Sequence, residues 1–169
     1  MPASLKLYRI LSFILIPLAL LFAFIDIAFL MTAFANPSVL IFVFAIACLV
    51  MYVFSSFAFL KRGIEKEQHQ PAKLKDWIKV NAYVSLFLCS LFFLNGTSVL
   101  MSSDMVLMKI TEEFMSQQAG LPVGLNLAIM LKVIKAASIF LLITGLIGLM
   151  HIRTTLRLVK EYNLSLIHI

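Results

Sequence analysis

Four long apolar runs decide what this chain can fold into. Ile10 to Met31, Val39 to Leu60, Val80 to Met101 and the stretch 127–152 are each long enough to cross a bilayer. A helix rising ~1.5 Å per residue needs about twenty residues to span a hydrocarbon core ~30 Å thick. The first three runs hold one charged side chain between them, Asp26. The chain is 62% hydrophobic and 13% charged, whereas a soluble domain is nearer half apolar and a quarter charged. That excess cannot be hidden in one small soluble core, so lipid must be the solvent for much of the surface. The expected fold is an all-α integral membrane protein. It is a single domain over residues 1–163, a four-transmembrane-helix bundle with an amphipathic outer helix between helices 3 and 4.

Local signals punctuate the runs. Pro17 lies inside the first, where proline removes one backbone hydrogen bond and favours a kink. Asn36-Pro37-Ser38 predicts a tight turn before the second. Ala33-Phe34-Ala35 has the small-x-small form of a signal-peptidase site. The preceding run is long for a signal peptide and is interrupted by Asp26, so a retained anchor is expected. Lys61-Arg62-Gly63 closes the second run. Ile64 to Lys79 is then a polar connection, divided by Pro71 and holding His69 as an ordinary surface histidine. Between Ser102 and Gly124, Leu107, Ile110 and Phe114 recur at helical spacing, with Met108 and Met115 beside them. Glu112, Glu113 and Gln117 take the other side. This predicts an amphipathic helix on the membrane surface or capping the bundle, ended by Gly120 and Pro122.

The fourth run is less regular. Its uncharged part, Ala136 to Met150, is short for a span, and extension back to residue 127 takes in Lys132 and Lys135. No breaker follows, so the helix is expected to run past Arg153 toward Tyr162. Thr144 and Gly148 stand four apart, a spacing that lets helices approach closely. The end, Leu164 to Ile169, reads LSLIHI. These six residues resemble the in-frame translation of a transposase mosaic-end adapter. They are set aside with His168, and the natural gene is expected to continue past Asn163.

Charge sets the expected orientation. With the amino terminus in the cytoplasm, Lys6, Arg9, Lys61, Arg62, Lys66, Lys73, Lys75, Lys79, Arg153, Arg157 and Lys160 all fall inside, and only Lys109, Lys132 and Lys135 fall outside. Eleven against three obeys the positive-inside rule and predicts both termini in the cytoplasm, with a bacterial inner membrane as the location. The net charge of +6 therefore reports orientation and lipid head groups, not a nucleic-acid partner. Lys73, Lys75 and Lys79 lie close together beside Trp77, and Arg153 sits at the end of the fourth span. They are candidate head-group contacts, although Glu65, Glu67 and Asp76 dilute the charge. A solvated loop is the plainer reading.

A lone carboxylate in an apolar span costs a few kcal/mol, so Asp26 is expected to have a partner elsewhere in the chain, to be protonated or to face water. Counted from the basic ends of their helices, Asp26 lies seventeen residues from Arg9, Lys135 eighteen from Arg153, and Asn95 sixteen from Lys79. All three then sit roughly 24–27 Å deep. Ala19, Ala23 and Asp26 share a stripe of the first helix, with Ser12 near it. Asn81, Ser85, Leu88, Phe92 and Asn95 share one of the third. The expectation is an intramembrane polar cluster of Asp26, Asn95 and Lys135 with Lys132 nearby. A structural role is favoured over a solute path, and Lys132 and Lys135 snorkelling to outer head groups is the competing reading.

No catalytic or metal-binding motif stands out. H-E-x-x-H, G-x-S-x-G and glycine-rich phosphate loops are missing from the sequence. Cys48 and Cys89 lie in apolar runs and read as small core residues. His151 reads as a structural residue near the inner boundary. No cofactor is expected. The function expected is that of a small non-catalytic membrane protein, an accessory, scaffold or partner-binding subunit whose partner is a membrane protein or a second copy. The alternative is a small oligomeric transporter or channel using the Asp26 cluster.

Overall fold

The computed structural model describes residues 3–68, 70–117 and 126–165. His69, the expected helix end at Gly120 and Pro122, and His168 lie outside them. The described residues are 92% helical, and no strand is found among them. Helix α1 covers Ala3–Ala33, α2 Leu40–Ala58, α3 Ala72–Met101, α4 Asp104–Gln117 and α5 Leu127–Ser165. Helices α1, α2, α3 and α5 are long and apolar enough to cross a membrane. The first, third and fourth expected spans each lie inside one of them, and the second starts one residue before α2 and ends in a wide turn continuous with it.

The caps follow local chemistry. Asn36 accepts a bond from the Ser38 amide (3.2 Å), and Pro37–Val39 forms a short 3-10 turn leading into α2. Asn126 caps α5 by accepting from the Ala128 amide at 2.9 Å. At the start of α4 the Ser103 carbonyl takes the Leu107 amide (3.1 Å). Asp104 then sits in the first turn, where the helix dipole favours an acid.

Two boundaries differ from expectation. Lys61-Arg62-Gly63 does not stop α2. The helix continues through a wide π turn, Phe59–Ile64, in which the Glu65 amide bonds to the Leu60 carbonyl. That turn buries Phe59, Leu60 and Gly63 together. It also leaves Lys61 free to pair with Glu65 at 2.9 Å. The stretch read as a connection up to Lys79 is helical from Ala72, directly after Pro71, whose carbonyl accepts from the Leu74 amide. Its polar composition disguises two turns of helix.

The chain divides into two compact units. One contains Met1–Cys89 and Ile147–Ile169, the other Ser90–Leu146. In the first, α1 packs against α2. Its interior is lined by Tyr8, Leu15 and Ala19 of α1, Leu49, Tyr52 and Val53 of α2, Ile78, Ala82 and Cys89 of α3, and Ile152 and Val159 of α5. Cys48 and Cys89 are both free and buried. Gly148 of α5 faces Cys89 so closely that an added Cβ would lie 2.5 Å from its Sγ. Close packing at the Thr144/Gly148 spacing is therefore realised at Gly148.

In the second unit, an added Cβ at Gly96 of α3 would lie 2.7 Å from the Ser138 carbonyl oxygen of α5. Helix α4 turns Leu107 and Thr111 inward, while Ile110 and Phe114 are 57% and 55% exposed. The expected apolar face thus splits into two stripes. Leu107 and Thr111, four apart, take the protein side. Val106, Ile110 and Phe114 form an outward apolar stripe.

Candidate functional site

The first unit encloses a polar core built from three helices, each contributing two side chains one turn apart. Helix α1 supplies Tyr8 and Ser12, α2 supplies Tyr52 and Ser56, and α5 supplies His151 and Thr155. All six are 1% exposed or less. An i, i+4 spacing puts each pair on one face, so three inward faces make a two-layer cluster.

His151 is the hub. Its Nε2 lies 2.9 Å from Ser12 Oγ, and its Nδ1 lies 2.7 Å from the Tyr52 hydroxyl. The imidazole stacks on Tyr8 with ring centroids 4.9 Å apart and meets Tyr52 edge-on at 5.6 Å. Proton accounting gives the bonds a direction. Ser12 donates its one proton to the Tyr8 carbonyl at 2.8 Å. It therefore accepts from His151, and Nε2 carries the ring proton. Nδ1 then accepts from Tyr52. Thr155 Oγ1 is 2.8 Å from the Tyr52 oxygen and 2.9 Å from the His151 carbonyl, so its proton has two acceptors in reach. Tyr8 donates to the Ser56 carbonyl at 3.0 Å, and Ser56 to the Val53 carbonyl at 2.9 Å. Every side-chain hydroxyl and ring nitrogen in the cluster has a partner.

Below this core the same unit carries an ion cluster. Glu65 accepts from Arg9 Nη2 at 3.0 Å and from Lys61 Nζ at 2.9 Å. Lys61 also lies over the rings of Phe13 (5.2 Å) and Phe57 (5.8 Å). The hydrogen bond from Lys61, helped by the charges of Lys61 and Arg9, holds the Glu65 carboxyl below its usual range against a smaller opposing effect of burial.

The sequence-predicted residues are found as follows. Asp26 is half-buried on α1, and its Oδ1 is shielded and accepts no hydrogen bond among the described residues. It takes part in none of their ion pairs. Lys135 is engaged by Asp104 at the start of α4. Asn95 is exposed and donates to the Leu91 carbonyl of its own helix at 2.8 Å. Lys132 is exposed. Among the head-group candidates, Lys73, Trp77 and Arg153 are exposed, Lys79 is half-buried, and Lys75 turns inward. His151 is not at a boundary exposed to head groups but fully enclosed.

The cluster around His151 was missed by sequence reasoning. Its signal was present as three polar i, i+4 pairs, each near the basic end of its helix. Of the expected stripe on α3, Asn81, Ser85 and Leu88 are buried, Phe92 is half-buried and Asn95 is exposed. Asn81 and Ser85 there bond to the Trp77 and Asn81 carbonyls at 2.8 and 2.7 Å. Among the described residues no group of His, Cys, Asp or Glu is arranged to hold a metal. In comparisons with protein families, curated proteins and solved structures, the chain matches no family model, no curated protein and no solved structure.

Proposed function

We propose that this chain is an integral protein of a bacterial inner membrane, crossing it four times with both termini in the cytoplasm, and that it acts without catalysis as a partner-binding or accessory subunit. Four long apolar helices support the membrane reading. The outward stripe of Val106, Ile110 and Phe114 suits α4 to the bilayer interface. The polar core around His151 suits a brace: its groups satisfy one another and its ring is clamped between two tyrosines.

Asp26 carries the partner-binding reading. Its Oδ1 is shielded yet accepts no hydrogen bond among the described residues, and Phe24, Ile27 and Met31 around it on α1 are exposed. An acid of this kind within a span is stabilised by a donor from another helix. A membrane partner or a second copy would supply it, and with it an apolar surface for Phe24 and Ile27.

The test compares wild type with Asp26→Leu, extracted in mild detergent and sized with bound detergent accounted for. Wild type is expected as a complex larger than one chain, and Asp26→Leu as a single chain. Equal sizes for both would remove Asp26 from any interface. If, in addition, a solute shifts the thermal stability of wild type and not of Asp26→Leu, the transporter reading takes its place.

A further inference from the structure

We propose that the first turns of α3 hold the head group of a zwitterionic phosphoethanolamine lipid. The proposal rests on the membrane reading above and adds a lipid of defined chemistry to it. Lys73, Asp76, Trp77 and Val80 line an open recess of about 420 Å³. Their spacings of three and four put them on one stripe of the helix. Lys73 and Asp76 are exposed, and neither takes part in a hydrogen bond or ion pair among the described residues. Trp77 is 47% exposed, and the stripe continues through Tyr83 and Phe87, both more open still. From Lys73 to Phe87 the surface therefore changes from charged, to amphipathic, to apolar along one line. A phospholipid has that same sequence of chemistries from head group to acyl chain.

The pair of opposite charges selects the head group. Lys73 donates to the phosphate, and Asp76 accepts from a primary ammonium two carbons away. Trp77 offers an indole N–H at the level of the glycerol esters, and its ring suits the membrane interface. Val80, Tyr83 and Phe87 receive the acyl chain. A phosphoglycerol head group would satisfy Lys73 but bring a neutral hydroxyl, not a cation, to Asp76. A phosphocholine head group has no N–H to give the carboxylate.

Trp77 is the single tryptophan of the chain, so its fluorescence reports this site alone. The protein is reconstituted in bilayers containing phospholipids brominated on the acyl chain. Phosphoethanolamine, phosphocholine and phosphoglycerol head groups are compared at equal mole fraction. Quenching by the phosphoethanolamine lipid is expected to show about a threefold preference over phosphocholine, the scale of one exposed charge contact. Asp76→Asn is expected to reduce that preference to unity. Equal quenching by all three lipids would mean ordinary boundary lipid and overturn the proposal, as would strongest quenching by phosphoglycerol. Absence of quenching by any of them would overturn the membrane reading as well.

Discussion

The two halves of α1 treat polar side chains in opposite ways. In the half from Tyr8 to Ala19, Tyr8 and Ser12 are enclosed and each is tied to a partner on another helix, Tyr8 to Ser56 and Ser12 to His151. In the half beyond Phe22, Asp26 has a shielded oxygen that finds no partner among the described residues, and its apolar neighbours are exposed. The first half meets helices that carry matching polar groups at the same level. The second shows a polar group with no match among the described residues. In a low-dielectric interior a satisfied network rigidifies, and an unsatisfied acid destabilises until something pairs with it.

The largest expected effect falls on the satisfied half. His151→Leu removes the bonds to Ser12 and Tyr52 and the stacking on Tyr8. It should lower unfolding stability in detergent by roughly 2–4 kcal/mol, because two buried hydroxyls each lose one partner and the stacked ring is gone. A loss no larger than that of a surface substitution would mean that the cluster is not a brace.

Helix approach in the same unit comes next. Gly148→Ala should cost about 1–3 kcal/mol by overpacking against Cys89. Cys89→Ala in the same chain should recover much of that, because the obstacle is a side chain. At Gly96 the obstacle is the Ser138 carbonyl oxygen, so Gly96→Ala should find no such rescue from a side-chain truncation. Rescue failing at Gly148 would place the constraint elsewhere.

Asp26→Leu should move stability the other way. In the isolated chain it should leave stability unchanged or raise it by up to about 1 kcal/mol, since an unpaired acid is replaced by an apolar group. A loss comparable to that of His151→Leu would erase the contrast between the two halves.

The smallest effect is at Glu65. Its folded-state pKa lies below the unfolded value, so its stabilising contribution is complete above the ordinary glutamate range. That contribution fades as pH falls through the lowered folded value. Glu65→Gln should flatten the acid side of the stability–pH curve and leave the neutral side parallel to wild type. High salt should shrink the difference, because the ion pairs are partly exposed.

The legibility of the sequence followed the range of the forces involved. The four long helices and the amphipathic outer helix could be read directly, because each is set by the composition of a continuous stretch. The start of α3 was harder. Residues 73–79 are charged for the same reason that a loop is charged, contact with a polar medium, and only Pro71 marks where the helix begins. The split face of α4 could not be read from spacing alone, since Ile110 and Phe114 are as apolar as Leu107.

What the sequence by itself determined is the set of helices, their apolar spans and the concentration of positive charge at one end of them. These are sums over neighbouring residues. What only the tertiary structure decided is which polar groups satisfy one another: His151 with Ser12 and Tyr52, Lys135 with Asp104, and Asp26 with nothing among the described residues. Hydrogen bonds reach about 3 Å. A pairing therefore depends on how each helix is rotated and set against its neighbours. That rotation is fixed by close contacts such as Gly148 on Cys89, which no local stretch of sequence contains.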